Sequence, residues 1–347
     1  VVAITFYRAL YQAGNLEPVD AVIAALRQRD LNPLPVFVAS LKEALSAETV
    51  DSIFGDAPPA IILNSTGFAV SKPNGERTPS PLERPGVPVI QMIFAGGNED
   101  DWRDGLNGLS ARDIAMNVAL PEVDGRIISR AVSFKTEARF DAATQLPVIA
   151  YQSVPDRVNF VCDLAANWLQ LSGTKTPERR LALIFANYPN KDGRLGNGVG
   201  LDSPASALNL LQALAAASYE VGTLPAKGDD LINRLAAGPT NDLTDRKDRP
   251  GGIKYPVSNY NTFFASLPMT IQARVIERWG PPADDPFVVG DDFVLAGFMQ
   301  GNVMIGLQPA RGYNIDPKSS YHDPDLVPPH GYLAFYGWLR QVFQVQA

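Results

Sequence analysis

The opening stretch VVAITFYRALYQAGNLEPVDAVIAALRQRDLNPLPVFV (Val1 to Val38) alternates two kinds of apolar pattern. Val1 to Phe6 is an unbroken, β-branched apolar run, which reads as a buried strand. After a turn at Ala13 to Asn15, the residues Val19, Val22, Ile23 and Leu26 recur at i, i+3, i+4 and i+7, one stripe of a helix. Pro35 to Val38 returns to a strand pattern. Strand, helix, strand with near-continuous apolar strands points to a parallel sheet covered on both faces. The alternation continues through a helix at Leu41 to Phe54, a strand at Ala60 to Leu63 that runs into Asn64-Ser65-Thr66-Gly67, and a strand at Val87 to Ile93. In such sheets ligands collect at the carboxyl ends of strands, so Thr5 to Arg8 and Asn64 to Gly67 fall on the expected rim. From Ala111 to Lys135 short extended pieces are expected to close this unit.

Val154 to Leu171 reads as a helix with Val158, Val161, Cys162, Ala165 and Leu169 on one stripe, which makes Cys162 a small core residue. A second α/β pattern follows. Leu181 to Ala186 is a strand, Asn187 to Asp202 a glycine-rich loop, and Ser203-Pro204 opens a helix through Ala217, with Ser203 as the N-cap. Asn259 to Ser266 and Pro268 to Trp279 read as short helices. Phe287 to Val289 and Phe293 to Leu295 form a hairpin across Gly290-Asp291-Asp292. Asn302 to Leu307 is a strand, and Phe335, Trp338, Leu339 and Val342 line one face of a final helix. The predicted fold class is therefore α/β, with two Rossmann-like or flavodoxin-like lobes of mainly parallel sheet at 1–150 and 151–347. The second carries a helical insertion at about 228–280, the β-hairpin and a His-containing loop at 308–331.

The chain has 347 residues and a net charge of −7, with no Lys/Arg-rich run, which argues against nucleic acid as a partner. No apolar run approaches the ~18 residues a membrane span needs. One cysteine excludes an internal disulfide and fits a reducing compartment. The first residues lack a signal-peptide pattern and an initiator Met, so the chain is expected to be a piece of something longer.

Both histidines lie in QPARGYNIDPKSSYHDPDLVPPHG (Gln308 to Gly331), a stretch too proline-rich for helix or central strand. Loops this long in compact domains are usually functional or disordered, and Tyr313, Ile315, Tyr321, Leu326 and Val327 argue for order. His330 follows Pro328-Pro329 at the expected start of the last helix. There the positive end of the helix dipole disfavours imidazolium and leaves a neutral ring. A neutral imidazole accepts a proton or binds a divalent metal, and a packed or capping role is the alternative. The glycine-rich loop DGRLGNGVGLDSP is neither a P-loop nor a dinucleotide fingerprint. Its glycines let backbone N–H groups approach an anion, and Asn187, Tyr188, Asp192, Arg194 and Asn197 give it polar side chains. A lid without a binding role is the alternative. No G-x-S-x-G elbow supports a serine hydrolase.

Several long stretches carry a resemblance. They are TFYRALYQAGN with LNPLPVFV (Thr5 to Val38), NSTGFA (Asn64 to Ala69), GLSARDIAMNVALPEVDGRIISRAVSFK (Gly108 to Lys135), ANYPNKDGRLGNGVGLDSP (Ala186 to Pro204), GNVMIGLQPARGYNIDP (Gly301 to Pro317) and YHDPDLVPPHGYLAFYGWLR (Tyr321 to Arg340). In these the chain resembles the family of the cobaltochelatase large subunit of aerobic cobalamin biosynthesis and the magnesium-chelatase H subunit, the cobalt branch more closely. The resemblance implies a cytoplasmic, multisubunit enzyme that inserts Co²⁺ into hydrogenobyrinic acid a,c-diamide, while AAA+ ATPase partner subunits hydrolyse ATP with Mg²⁺. It implies catalytic roles for His330 and His322 as bases, and metal handling by His330, His322, Asp316 and Asp323. Substrate contacts are expected from Arg8, Asn64, Asn187, Tyr188, Arg194, Asn197, Gly198, Arg311 and Tyr313. Family members continue into a Gly-Lys-His-Gly-x-Leu-Glu-like motif beyond the point matching Ala347, so the resemblance implies an internal fragment, inactive alone. A non-catalytic tetrapyrrole- or partner-binding module, a magnesium-chelatase-type subunit acting on protoporphyrin IX, and a flavodoxin-like or periplasmic-binding-like small-molecule binder are the competing readings.

Overall fold

The computed structural model describes residues 1–72, 75, 77–188, 190–313 and 325–346. Two compact units divide the chain at Val1–Gly173 and Thr174–Ala347.

In the first unit, strands β1 (Val2–Tyr7), β2 (Pro33–Val38), β3 (Ile61–Asn64), β4 (Val89–Phe94), β5 (Ile127–Asp141) and β6 (Leu146–Ser153) form one sheet. Its order is β2-β1-β3-β4-β5-β6, and every pair is parallel except β5/β6. This is the doubly wound flavodoxin-like order, with its topological switch point between β1 and β3. Helices α1 (Arg8–Gln12), α2 (Glu17–Arg27), α3 (Ala44–Asp56), α4 (Glu99–Asp104), α5 (Ala111–Ile114), α6 (Leu120–Val123) and α7 (Pro155–Gly173) complete it. Alternate residues of β1 serve opposite faces. Val2, Ile4 and Phe6 pack with α2 and α7, and Ala3 packs with Val50 and Phe54 of α3. That two-sided burial is why β1 and β3 are apolar without alternation.

Two expectations for this unit need correction. The boundary falls at Gly173 rather than 150, because α7 buries Val158, Val161, Cys162 and Ala165 in the first core. Residues 111–123 are helical rather than extended. Ser110 caps them, accepting from Asp113 N at 3.1 Å and donating to Asp113 Oδ2 at 2.7 Å. A π-helical turn, Ala115–Ala119, joins α5 to α6.

The second unit holds strands β7 (Leu181–Phe185), β8 (Ile253–Pro256), β9 (Val288–Val289), β10 (Asp292–Leu295), β11 (Gly297–Gln300) and β12 (Val303–Leu307). Its helices are α8 (Ser203–Ala216), α9 (Asp229–Ala237), α10 (Val257–Ala265), α11 (Met269–Trp279) and α12 (His330–Trp338). The sheets are β8-β10-β9 and β11-β12-β7, and only the β7/β12 pair is parallel among the described residues. A mainly parallel second lobe is thus not what forms. The expected 228–280 insertion is helical only in part, since β8 pairs with β10 inside it. The N-cap of α8 is Asp202, whose carboxylate accepts from Ala205 N at 2.9 Å, one residue before the expected Ser203. Val303, Ile305 and Leu307 pack toward α8 and α9, while Met304 packs toward α10 and α12.

Candidate functional site

At the β1/β3 switch point of the first unit, two adjoining cavities of about 450 and 290 Å³ open on the carboxyl ends of the strands. The larger is in the size range of small-molecule sites. Both stretches that the sequence placed on the rim contribute: Tyr7 from the end of β1, and Ser65, Thr66 and Gly67 from the turn after β3. The larger cavity adds Phe94, Met116 and Tyr151 as apolar wall and Arg112, Asp113, Asn117 and Lys135 as polar wall. Leu41, Lys42 and Arg126 line the smaller one, and Tyr7, Gly67 and Phe68 are common to both.

A buried polar frame sets the turn after β3. Asn64 accepts from Thr5 Oγ1 at 2.6 Å and donates to Gln91 Oε1 at 2.6 Å. The Thr66 carbonyl accepts from Asn64 Nδ2 at 2.9 Å, Gln91 Nε2 at 3.1 Å and Arg126 Nη1 at 2.9 Å. Arg126 also pairs with Asp124 at 3.0 Å, and both side chains are buried. Asp124 in turn accepts from the backbone of Val70 at 2.7 Å and Ser71 at 3.0 Å. Burial lowers the Arg126 pKa and Asp124 opposes that shift, so the pair is held by complementary charge in a desolvated place. Gly67 is forced by close approach, since a Cβ there would lie 2.9 Å from the Met116 carbonyl oxygen. Phe68 N donates to that same oxygen at 2.9 Å. Asp113 accepts from Gly96 N at 2.9 Å and so ties α5 to the loop after β4. Burial raises the pKa of both wall tyrosines, Tyr7 and Tyr151, so their hydroxyls stay protonated.

The residues expected from the sequence are distributed differently. Asn64 is fully buried, so it shapes the rim from beneath instead of touching a ligand. Arg8 is exposed at the start of α1, outside the cavity lining. In the second unit, Asn187 accepts from Asn241 Nδ2 at 2.8 Å and donates to Lys191 O at 3.3 Å, a buried loop tie. Asn241 also donates to Gln308 O at 2.8 Å and accepts from Ala310 N at 3.1 Å. The glycine-rich loop and the segment leading to Arg311 therefore meet at the carboxyl ends of β7 and β12. Tyr188, Arg194, Asn197 and Arg311 are exposed there, and Gly198 forms a tight bridge with Leu201.

His330 occupies a sealed position. Its Nε2 lies 2.9 Å from Gly280 O, which can only accept, so Nε2 carries the proton and Nδ1 accepts from Tyr260 O–H at 2.7 Å. Burial lowers its pKa, and the ring packs edge-on against Tyr260 and Phe264. Both nitrogens are used, so in this conformation the ring is a packing and hydrogen-bonding group, not the free base or metal ligand expected. The Tyr313 hydroxyl donates to Asp285, which also accepts from Gly331 N at 3.0 Å. This joins the two flanks of the long loop. His322, Asp316 and Asp323 lie outside the described residues. Among the described residues no group of three or more His, Cys, Asp and Glu is arranged to hold a metal ion, and no helix is long and apolar enough to cross a membrane.

Sequence reasoning placed Tyr7 within the rim stretch without naming it as a site residue, and passed over Phe68, Asp113, Arg126 and Lys135. Position at strand ends was the available signal for Tyr7 and Phe68, whereas the pairing of Arg126 with Thr66 spans 60 residues and leaves no local mark.

A family model described as CobN/Magnesium Chelatase matches residues 1–347. An aerobic cobaltochelatase subunit CobN from a Sinorhizobium species is 52% identical over 346 residues, covering 100% of this chain and 27% of that protein. The subunit of the same description from Pseudomonas aeruginosa is 44% identical over 347 residues, covering 100% of this chain and 28% of its own length. The solved catalytic subunit of cobaltochelatase from Mycobacterium tuberculosis aligns with a TM-score of 0.82 at 32% identity, covering 100% of this chain and 29% of its own. The chain thus spans less than a third of the length of these relatives.

Proposed function

The chain belongs to the CobN/magnesium-chelatase family, and on that premise we propose that it is the tetrapyrrole-holding portion of an ATP-dependent cobaltochelatase large subunit. The substrate is hydrogenobyrinic acid a,c-diamide and the metal delivered to it is Co²⁺. ATP is hydrolysed with Mg²⁺ on AAA+ ATPase-type partner subunits, in the cytoplasm. The observation that carries the reading is the cleft at the β1/β3 switch point, apolar and aromatic along its walls, with Arg112 and Lys135 on one side and Lys42 on the other. Such a cleft takes a broad apolar ring whose acidic arms reach cations at its edge.

Metal insertion asks for removal of pyrrolic protons and partial dehydration of the aquo-metal. His322, with Asp316 and Asp323, is our assignment for those steps. His330 acts at one remove, holding the start of α12.

Absorbance titration of this chain with hydrogenobyrinic acid a,c-diamide, with and without Co²⁺, tests the proposal. We expect saturable one-to-one binding and no insertion, because the partner subunits are absent. A titration with no saturation would sink it, and preference for protoporphyrin IX would move the chain to the magnesium branch.

A further inference from the structure

Phe68 has a backbone φ of +62°, in the left-handed region that bulky residues almost never occupy. Its ring is apolar, yet the residue is 50% exposed. A turn that merely needed this conformation would be better served by glycine or asparagine, so the phenylalanine is held there at a cost to the fold. What holds it is visible on both sides. Phe68 N is bonded to Met116 O at 2.9 Å, and the preceding Gly67 carbonyl accepts from Tyr7 Oη at 3.1 Å. The Thr66 carbonyl is gripped by Asn64, Gln91 and Arg126, and Val70 N by Asp124. Met116 itself sits in the π-helical turn, a distortion frequently found at functional sites.

The placement of the ring supplies the second, independent observation. Phe68 lines both cavities and stands with Tyr7 and Gly67 where they adjoin. Cationic side chains lie beyond it in either direction, Arg112 and Lys135 in the larger cavity and Lys42 in the smaller. From this geometry, and resting on the tetrapyrrole reading above, we infer that Phe68 is a fixed stacking residue. It supports the face of a flat conjugated ring whose anionic arms extend into the two cavities. The frame of Asn64, Gln91, Arg126 and Asp124 consists of positioning residues that keep the ring presented before ligand arrives. Such pre-organisation lowers the ordering cost of binding.

The test compares Phe68→Leu, Phe68→Gly and Phe68→Tyr in the full chain, using hydrogenobyrinic acid a,c-diamide as probe. Affinity comes from absorbance, stacking from induced circular dichroism of the bound ring, and folding from the thermal midpoint. Leu and Gly should weaken binding about tenfold and abolish the induced signal, while Tyr should stay within about twofold of wild type. Phe68→Gly should melt no lower than wild type, since glycine relieves the left-handed backbone. Wild-type affinity in the Leu and Gly variants would overturn the stacking role while leaving the tetrapyrrole reading intact. A fall in thermal midpoint that tracks the loss of affinity would assign Phe68 to the fold. Failure of the wild-type chain to bind at all would overturn both readings together.

Discussion

His330 is a neutral ring whose two nitrogens are spoken for, and the consequence is thermodynamic. Burial puts its folded pKa below the unfolded value of ~6.5, so below that pH the unfolded chain binds the extra proton. Stability therefore rises with pH through this window and is lost as pH falls, with a slope of at most about 1.4 kcal/mol per pH unit. Asp285 works in the opposite sense. Burial raises its folded pKa, so the folded state holds the proton longer and stability declines as pH climbs from the ordinary carboxylate value through the raised one. Urea unfolding at pH 7.5 and 5.5 should show wild type losing more stability on acidification than His330→Gln does. Equal losses in the two proteins would mean that the ring titrates freely. The neutral state of His330 was legible in Pro328-Pro329-His330 through the helix dipole, but its main cause was not. Tyr260 and Gly280, which seal it, come from distant parts of the chain.

Among the elements, the helical stretch 111–123 sets the shape of the cleft by pressing its π-turn against Gly67. A Cβ at position 67 would lie 2.9 Å from Met116 O and 3.0 Å from Asn117 Oδ1. Gly67→Ala should therefore cost about 1–3 kcal/mol of stability, as overpacking does, and weaken tetrapyrrole binding by shifting Phe68. Denaturant unfolding with the same absorbance titration checks it, and wild-type values in both would show that the helix yields freely. Elements with a near-continuous apolar run, β1, β3, β4 and β12, could be read directly, because burial on both faces writes itself into composition. The Ser110-x-x-Asp113 cap was legible but unread, and the helix it starts was taken as extended. Strands β8 and β11 were missed for a sounder reason. IKYP and GFMQ carry Lys254, Pro256 and Gly297, and they are strands only through pairing with β10 and β12.

At the scale of the molecule, the chain is two units with separate cores, and among the described residues only the first has the doubly wound sheet that both were expected to have. Alternation at the sequence level found β7 and β12, and the Gly290-Asp291-Asp292 turn marked the antiparallel β9/β10 hairpin, but nothing local showed that β11 turns back antiparallel on β12 or that β8 joins β10, since those pairings are decided at long range. The rim of the first sheet was legible because any parallel sheet places ligands at its carboxyl ends. The side chains that complete it, Arg112, Lys135 and Arg126, come from elements whose position depends on the folded topology. This rim, around Phe68, is where we propose the macrocycle sits. Hydrogen–deuterium exchange of the chain with and without hydrogenobyrinic acid a,c-diamide locates the ligand directly. Slower exchange at residues 66–70 and 111–119 in its presence is the expected result. Protection confined to the Thr174–Ala347 unit, with residues 66–70 unchanged, would contradict the claim.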